Sequence, residues 1–264
     1  MSHRLIIALD AMGGDNAPRM VLRGANIARK RYPDAEFMLF GDEAQLRPLL
    51  RRLPFLRKAC SIYHTDEVIA ADAKPSQALR SGRHSSMRKA IEAVRKNEAQ
   101  GLVSAGNTGA LMAMSKVVLK TLPGIDRPAM ASFFPTLKGE SVMLDLGANI
   151  ECSGKNLEQF AVMGELFART VLGRLQPTVG LLNVGSEEIK GIDSVKEAAS
   201  LLRNGDHDMN FQGFIEGDDI AAGTVDVVVT DGFSGNIALK AAEGTARLYS
   251  EFLRHHTPFN DPFL

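Results

Sequence analysis

The sequence has little cysteine, no excess of either charge and no long apolar run. Its 264 residues include only Cys60 and Cys152, with no CxxC motif and no metal-like spacing to histidine, which indicates a reducing cytosol and no metal site. The 31 Lys and Arg residues balance the 31 Asp and Glu residues, so the overall charge does not favour nucleic acid as a partner. No run approaches the roughly 18 apolar residues of a membrane span, and the N-terminal apolar part is too short for a signal peptide. We therefore expect a cytoplasmic protein, at most peripheral on the inner face of the cell membrane.

Three familiar motifs are also missing. No two glycines are separated by a single residue, so the GxGxxG fingerprint of dinucleotide-binding proteins is absent. Gly154-Lys155 lacks the upstream glycine and the following Ser or Thr of a phosphate-binding P-loop. The GFSGN segment at 232–236 differs from the GxSxG motif of serine hydrolases at its last position. These absences disfavour a nicotinamide-dependent dehydrogenase and a serine hydrolase.

The most informative stretch runs from Val225 to Lys240. A β-branched run at 225–230 predicts a strand, residues 231–236 predict a glycine-rich turn, and the Ala-rich pattern at 237–249 predicts a helix. The start of a helix presents free backbone N–H groups and the positive end of the helix dipole to an anion. Gly235 would let a ligand approach the backbone closely. The stretch is therefore typical of a phosphate-binding site.

The same pattern of strand, turn and helix occurs twice more upstream. The two copies are 102–120, with its turn at 106–109, and 142–169, with its turn at 147–149. Ligands of open parallel sheets bind outside the carboxyl ends of the strands, so the three turns could face one crevice. Asn107, Asn149 and Asn236 would then share a polar site, although capping of its own helix is the commoner role for such an asparagine.

Two further loops carry charged residues. The first predicted strand, 5–9, is followed by Asp10 and Asp15 around a glycine pair. These carboxylates could hold a ligand, hold a metal-bound phosphate, or simply form the turn. Lys190 follows the predicted strand 178–184. Its ammonium group could neutralise phosphate or a developing oxyanion, or it could balance the neighbouring Glu187 and Glu188.

Strands alternate with helical patterns along the chain, which predicts an α/β fold. Right-handed crossovers place helices on both faces of the sheet and give a three-layer α/β/α Rossmann-like sandwich. Apolar runs at 130–134 and 141–146 predict a β-hairpin, so the sheet should be mixed but mostly parallel. Residues 65–83 are predicted to be irregular, either as a solvated loop or as a basic loop over an anion. We expect residues 1–264 to form a single catalytic domain, either as one body or as two lobes that share a sheet.

Eight segments, in order and over nearly the whole chain, resemble one family. They are ALDAMGGDNAP (8–18), KPSQALR (74–80), SSMRKA (85–90), VSAGNTGALM (103–112), VMLDLGANIEC (142–152), QFAVMG (159–164), GLLNVGSEEIKG (180–191) and DGFSGNIALKAAEG (231–244). The family is the acyl-ACP:phosphate acyltransferases of bacterial phospholipid synthesis, the PlsX type. The resemblance implies a fold akin to isocitrate dehydrogenase and phosphate acetyltransferase, a homodimer, and a reaction that needs no redox cofactor.

The resemblance also implies that inorganic phosphate attacks the thioester of a long-chain acyl group on acyl carrier protein, releasing acyl phosphate. By motif, Lys190 and Asn236 would be the catalytic pair. Lys190 would hold phosphate or stabilise the oxyanion, and Asn236 would donate a hydrogen bond from the start of its helix. The predicted substrate-binding residues come from the turns, and they are Asp10, Gly13, Gly14, Asp15, Ser104, Asn107, Thr108, Gly109, Asp145, Asn149, Gly232, Ser234 and Gly235.

Two alternative functions remain open at this point. The same fold could use acyl-CoA as the donor, or the chain could be a non-catalytic scaffold of lipid synthesis at the membrane. Arg80, Arg83 and Arg88 could meet the acidic carrier protein. Members of the family usually continue for several tens of residues beyond the helix after DGFSGN. We therefore expect the C-terminal end to be truncated relative to the family, which would affect the membrane contact and part of the dimer interface or acyl pocket.

Overall fold

The computed structural model describes residues 5–205 and 208–256, and the chain divides into two compact units, Met1–Gly124 and Ile125–Leu264. Each unit contains its own sheet. The elements of the first unit are β1 (Leu5–Asp10), α1 (Arg19–Arg31), β2 (Ala35–Gly41), α2 (Glu43–Leu50), α3 (Pro54–Arg57), β3 (Cys60–His64), α4 (Pro75–Ser81), α5 (Ser86–Arg95), β4 (Gly101–Val103) and α6 (Thr108–Leu119).

The sheet of the first unit is parallel throughout, with the strand order β3-β2-β1-β4. Successive side chains of a strand point to opposite faces of the sheet. Leu9 and Leu39 therefore pack with α1, α2 and α3 on one face, whereas Ala8 and Met38 pack with α5 on the other. The first unit is thus a three-layer α/β/α sandwich.

The second unit is also layered. Its elements are β5 (Ala131–Thr136), β6 (Gly139–Leu144), α7 (Gly154–Leu172), β7 (Thr178–Leu182), α8 (Asp193–Asn204), β8 (Asn210–Ile215), α9 (Gly217–Ala222), β9 (Val227–Val229) and α10 (Gly232–His256). The strand order is β5-β6-β9-β7-β8, and only the β5–β6 pair is antiparallel. Leu144 and Val227 pack with α7 and α8 on one face, and Met143 and Val228 pack with α9 and α10 on the other.

The predicted α/β class, the layered arrangement and the hairpin at β5 and β6 are confirmed. Three short helices, α3, α4 and α9, were not predicted. Helix α4 lies in the stretch predicted to be irregular, where Pro75 occupies the first helical turn and Ala78 is buried. Helix α9 begins with a capping box between Glu216 and Asp219. Each is too short to show a helical repeat in the sequence.

The described strands form two separate sheets, whereas the sequence analysis allowed for lobes that share one. Whether the two units act as a single catalytic domain stays a prediction. In the part of the chain that the structure describes, no helix is long and apolar enough to cross a membrane.

Candidate active site

Three loops of the second unit emerge at one edge of its sheet. Strands β6, β9 and β7 are parallel neighbours, and Leu144, Val229 and Leu181 lie side by side in the register. The loops that follow these residues therefore begin at the same carboxyl edge, which is where open parallel sheets bind ligands. This edge brings together Asp145, Asn149, the start of α10 and the loop that carries Lys190.

Asp145 organises the first of these loops. Its side chain is fully buried, and its Oδ1 accepts hydrogen bonds from the backbone N–H groups of Met130 (2.9 Å) and Ala148 (3.1 Å). Its Oδ2 accepts from the backbone N–H of Asn149 (2.6 Å) and from Asn149 Nδ2 (2.8 Å). Asn149 Nδ2 also donates to the carbonyl of Pro128 (2.8 Å). Both predicted substrate contacts are therefore engaged by the protein itself, as parts of the loop scaffold.

Helix α10 begins five residues earlier than the sequence predicted, at Gly232 and not at Ile237. Asp231 explains the early start, because its Oδ1 accepts from the backbone N–H of Ser234 (2.8 Å) and its Oδ2 from the Ser234 hydroxyl (3.0 Å). The backbone N–H of Gly232 donates to the carbonyl of Asn149 (2.7 Å). Two of the N–H groups expected to face an anion are thus already bonded within the chain.

Gly235 is required by packing between this helix and the Asp145 loop. A Cβ at Gly235 would overlap the carbonyl oxygen of Asp145 and lie 2.8 Å from Thr230 Cγ2. The absence of a side chain therefore lets α10 lie directly against the end of β6. Close approach of a ligand to Gly235 stays a prediction.

Asn236 is the fifth residue of α10, and its side chain is exposed. The interpretation that it caps its own helix is wrong, because Asp231 has that role. Asn236 faces Gly147 of the neighbouring loop, where a Cβ would lie 3.6 Å from Asn236 Cβ and 3.7 Å from its Oδ1. Within residues 5–205 and 208–256 its amide makes no hydrogen bond, so the group is free to bind a ligand at this edge.

Lys190 lies in an exposed loop that two side chains hold in place. Asn183 Nδ2 donates to the carbonyls of Gly185 (3.1 Å) and Lys190 (3.2 Å). Arg203 of α8 binds the Glu188 carboxylate through both guanidinium nitrogens, at 2.7 and 2.5 Å. The hydrogen bond from Arg203 holds the pKa of Glu188 below its ordinary value.

The Lys190 ammonium is exposed and has no ion-pair partner among the described residues. The alternative interpretation has Lys190 balance Glu187 and Glu188. Arg203 pairs with the Glu188 carboxylate, and among the described residues Lys190 forms no ion pair with Glu187. An exposed cation without a carboxylate partner can bind an anion without breaking an existing ion pair. Lys190 and Asn236 are therefore exposed at this edge, and among the described residues neither the ammonium nor the amide is bonded to another group of the protein.

The corresponding edge of the first unit holds the other predicted contacts. Asp10 is 2% exposed and accepts hydrogen bonds from the hydroxyls of Ser86 (2.6 Å) and Ser104 (2.7 Å). A Cβ at Gly13 would overlap the Asp10 carboxylate, and Gly14 has a φ of +98°, which favours glycine. Asp10, Gly13, Gly14 and Ser104 thus form a turn held by its own contacts.

Asn107 caps α6 and also binds the backbone of the segment that precedes α4. Its Oδ1 accepts from the backbone N–H of Ala110 (2.9 Å), and its Nδ2 donates to the carbonyls of Ala71 (2.8 Å) and Ala73 (2.9 Å). The capping role is therefore confirmed for Asn107. Gly109 packs against Pro75, which lies 3.0 Å from the position a Cβ would take.

A cleft of about 450 Å³ lies at this edge of the first unit. Its lining includes Gly14, the exposed Asp15 and Thr108, together with apolar residues such as Met12 and Val68. The predicted contacts that line this cleft are Gly14, Asp15, Asn107 and Thr108. Within the described residues, no group of three or more His, Cys, Asp or Glu side chains is placed to hold a metal ion.

The arginines predicted to meet a carrier protein differ in their surroundings. Arg88 forms an ion pair with Glu92 (2.9 Å), and its side chain is only 18% exposed. Arg80 and Arg83 are exposed. Arg88 is thus already engaged within α5.

Sequence reasoning missed three residues that shape the site, namely Asp231, Asn183 and Ser86. Only Asp231 has a local signal, since an Asp followed three residues later by the Ser that it binds is a helix-start pattern. Cys152 also lies beside the Asp145 loop, and burial together with the charges of Asp145 and Asp231 raises its pKa to about 11.

Comparison with known proteins identifies the family. A sequence profile of the family described as "Fatty acid synthesis protein" matches residues 5–259. The phosphate acyltransferase of Rhodospirillum centenum is 67% identical over 254 residues, which cover 96% of this chain and 72% of that protein. The phosphate acyltransferase of Rhodospirillum rubrum is 60% identical over 255 residues, covering 97% of this chain and 73% of that protein. A solved phosphotransacetylase from Streptococcus pyogenes has a similar fold, with a TM-score of 0.70 at 20% identity over 94% of this chain and 83% of that one. This chain therefore belongs to the phosphate acyltransferases of the fatty acid synthesis protein family.

Proposed function

We propose that this protein transfers a long-chain fatty acyl group from acyl carrier protein to inorganic phosphate, giving acyl phosphate for phospholipid synthesis. One observation carries the proposal beyond family membership. At the carboxyl edge of β6, β9 and β7, the side chains of Asp145, Asn149 and Glu188 are bonded within the protein, whereas the Lys190 ammonium and the Asn236 amide are not bonded to any described residue. A cation and a neutral donor are the two groups that a phosphate nucleophile and a developing oxyanion require.

The chemistry follows from the roles of these two groups. Lys190 binds the phosphate and offsets its charge, so that a phosphate oxygen can approach the thioester carbon. As the new C–O bond forms, negative charge develops on the carbonyl oxygen, and the Asn236 amide donates a hydrogen bond to it. The C–S bond then breaks, and the thiolate of the carrier leaves and takes up a proton. Phosphate is itself the nucleophile, so no covalent acyl-enzyme is required.

The reaction can be tested by measuring its product directly. The protein is incubated with palmitoyl carrier protein, with and without inorganic phosphate, and acyl phosphate is quantified by mass spectrometry. We expect acyl phosphate and free carrier in equal amounts, and only when phosphate is present. Product from palmitoyl-CoA at a higher kcat/KM would assign the donor to coenzyme A. Binding of the carrier protein without turnover would favour the alternative function, a non-catalytic scaffold of lipid synthesis.

We also propose that the protein is a cytoplasmic homodimer with peripheral membrane contact. Leu248 and Tyr249 near the end of α10 are 66% and 65% exposed, and large exposed apolar side chains mark interaction surfaces. Analytical ultracentrifugation should give a dimer for the wild type and a monomer for Leu248→Asp. A monomeric wild type would contradict the dimer.

A further inference from the structure

Positive charge is concentrated in one segment of the first unit. Residues 19–58 contain ten Lys and Arg residues but only four Asp and Glu residues, although the whole chain is neutral with 31 of each. Eight of the ten cations are arginine. A local excess of this size creates a field that attracts an acidic partner.

Seven of these ten cations belong to helices of one face of the first unit. The segment contains α1, α2 and α3, which pack together on the same side of the parallel sheet. The exposed cations include Arg19, Arg23, Arg51, Arg52 and Arg57, and none of these has an ion-pair partner within the part of the chain that the structure describes. These side chains are thus free to pair with carboxylates from outside.

A groove with an apolar floor crosses this face. It has a volume of about 210 Å³ and is lined by Arg19, Leu22, Arg23, Leu49, Arg52 and Leu53. Leu22 is 1% exposed, so the floor is recessed and the arginines form the rim. We call this the basic groove. Its shape suits an amphipathic helix whose apolar side chain enters the groove while carboxylates meet the rim.

A second observation extends the binding surface beside the groove. Phe55 of α3 is 63% exposed, and Lys30 Nζ lies 5.8 Å from the centroid of its ring. A second cleft, of about 350 Å³, is lined by Arg51 and Arg57, and by Arg47, which pairs with Glu43 of the same cleft. Exposed aromatic and arginine side chains are enriched at the energetic centres of protein interfaces.

We propose that the basic groove is the docking surface for the acidic acyl carrier protein, an assignment that rests on the proposed function. The concave floor favours a protein helix over a lipid bilayer, because a bilayer presents a plane of phosphates. Guanidinium groups pair with carboxylates in bidentate geometry, so the arginines of the rim suit the acidic side chains of a carrier helix. Charge complementarity of this kind raises the association rate and fixes the orientation of docking.

Direct binding of carrier protein tests this assignment independently of turnover. Unacylated carrier protein is titrated into the wild type and into Arg23→Glu/Arg52→Glu by isothermal titration calorimetry at low and moderate salt. The matched control is Arg95→Glu/Lys96→Glu, which makes the same charge change at exposed positions at the end of α5. We expect the groove variant to weaken binding at least tenfold and the control less than twofold, with a wild-type affinity that falls as salt rises. Arg23→Gln/Arg52→Gln, which only removes charge, should give an intermediate loss.

Turnover of palmitoyl-CoA separates this proposal from the proposed function. If the groove variant retains the wild-type rate with this carrier-free thioester, the site is intact and the defect lies in docking. The assignment is overturned if the groove variant binds carrier as the wild type does, or if Arg80→Glu/Arg83→Glu alone weakens binding. It is also overturned if the groove variant loses binding only to vesicles containing phosphatidylglycerol, which would assign the groove to the membrane. If no variant or substrate gives turnover while carrier still binds at the groove, the proposed function fails and the docking surface stands.

Discussion

Replacing Asp145 by asparagine should lower the free energy of unfolding by about 3–6 kcal/mol. The buried carboxylate accepts four hydrogen bonds, three of them from backbone N–H groups. An asparagine keeps only one acceptor oxygen, and its Nδ2 would face two donors that cannot reverse their polarity. Each hydrogen bond to a charged group contributes about 1.5–3 kcal/mol, so the loss of two gives the expected range.

Asp10→Asn provides a matched control for this prediction. Asp10 is also buried at the end of the first strand of its unit, but its partners are the hydroxyls of Ser86 and Ser104. A hydroxyl can rotate and accept a hydrogen bond from the new amide, whereas a backbone N–H cannot. We therefore expect Asp10→Asn to cost no more than about 2 kcal/mol.

Urea-induced unfolding, followed by circular dichroism, measures both free energies. We expect the free energy of unfolding to be highest for the wild type, lower for Asp10→Asn and lowest for Asp145→Asn. The reasoning would be refuted by an Asp145→Asn variant within about 1 kcal/mol of the wild type, or by an equal cost for the two substitutions.

Three further predictions concern the surroundings of the site. Arg203→Ala should lower kcat with palmitoyl carrier protein by roughly ten- to a hundredfold, because the loop that carries Lys190, the proposed catalytic residue, loses its bidentate anchor. Arg203→Lys should restore little of the lost activity, and an unchanged kcat in Arg203→Ala would count against the anchor. Burial and nearby carboxylates raise the pKa of Cys152 to about 11. Cys152 should therefore react with iodoacetamide at pH 8 about a hundredfold more slowly than a free thiol of pKa 9.0. The reaction rate should keep rising to about pH 11, and a plateau near pH 9 would contradict the raised pKa. Gly235→Ala should destabilise the protein by about 1–3 kcal/mol, because the new methyl group overlaps a backbone carbonyl. Gly244→Ala in the same helix meets no atom and should stabilise the protein by up to about 1 kcal/mol. Thermal unfolding of both variants shows whether each change in stability has the expected sign.

The layered α/β fold could be predicted because alternating strand and helix patterns are local properties of the sequence. The motifs at 145–149 and 231–236 could likewise be recognised as strand ends followed by small polar residues. Their proximity depends on the pairing of Leu144 with Val229 across 85 positions, which local spacing does not specify. The order of β6, β9 and β7 in the sheet is a property of the tertiary structure, so no single segment of the sequence indicates it.

The roles of individual polar residues were harder to predict than their location. Asn107, Asn149 and Asn236 follow similar strands, yet the first caps a helix, the second binds Asp145 and the third has a free amide. Which role an asparagine takes depends on the donors and acceptors that the fold brings within reach. The basic groove is a similar case, since Arg23 and Arg52 become neighbours only when α1 packs beside α2.

The most direct test of the account compares phosphate-dependent release of free carrier from palmitoyl carrier protein by the wild type, Lys190→Ala and Asn236→Asp. Lys138→Ala is the matched control, because Lys138 is an exposed lysine in the hairpin turn before β6, at the opposite end of that strand. We expect both site variants to remain folded and to lose on the order of a hundredfold or more in kcat, as expected when an oxyanion contact is removed, while the control retains full activity. Folded site variants that turn over at the wild-type rate would contradict the assignment of Lys190 and Asn236 to the reaction.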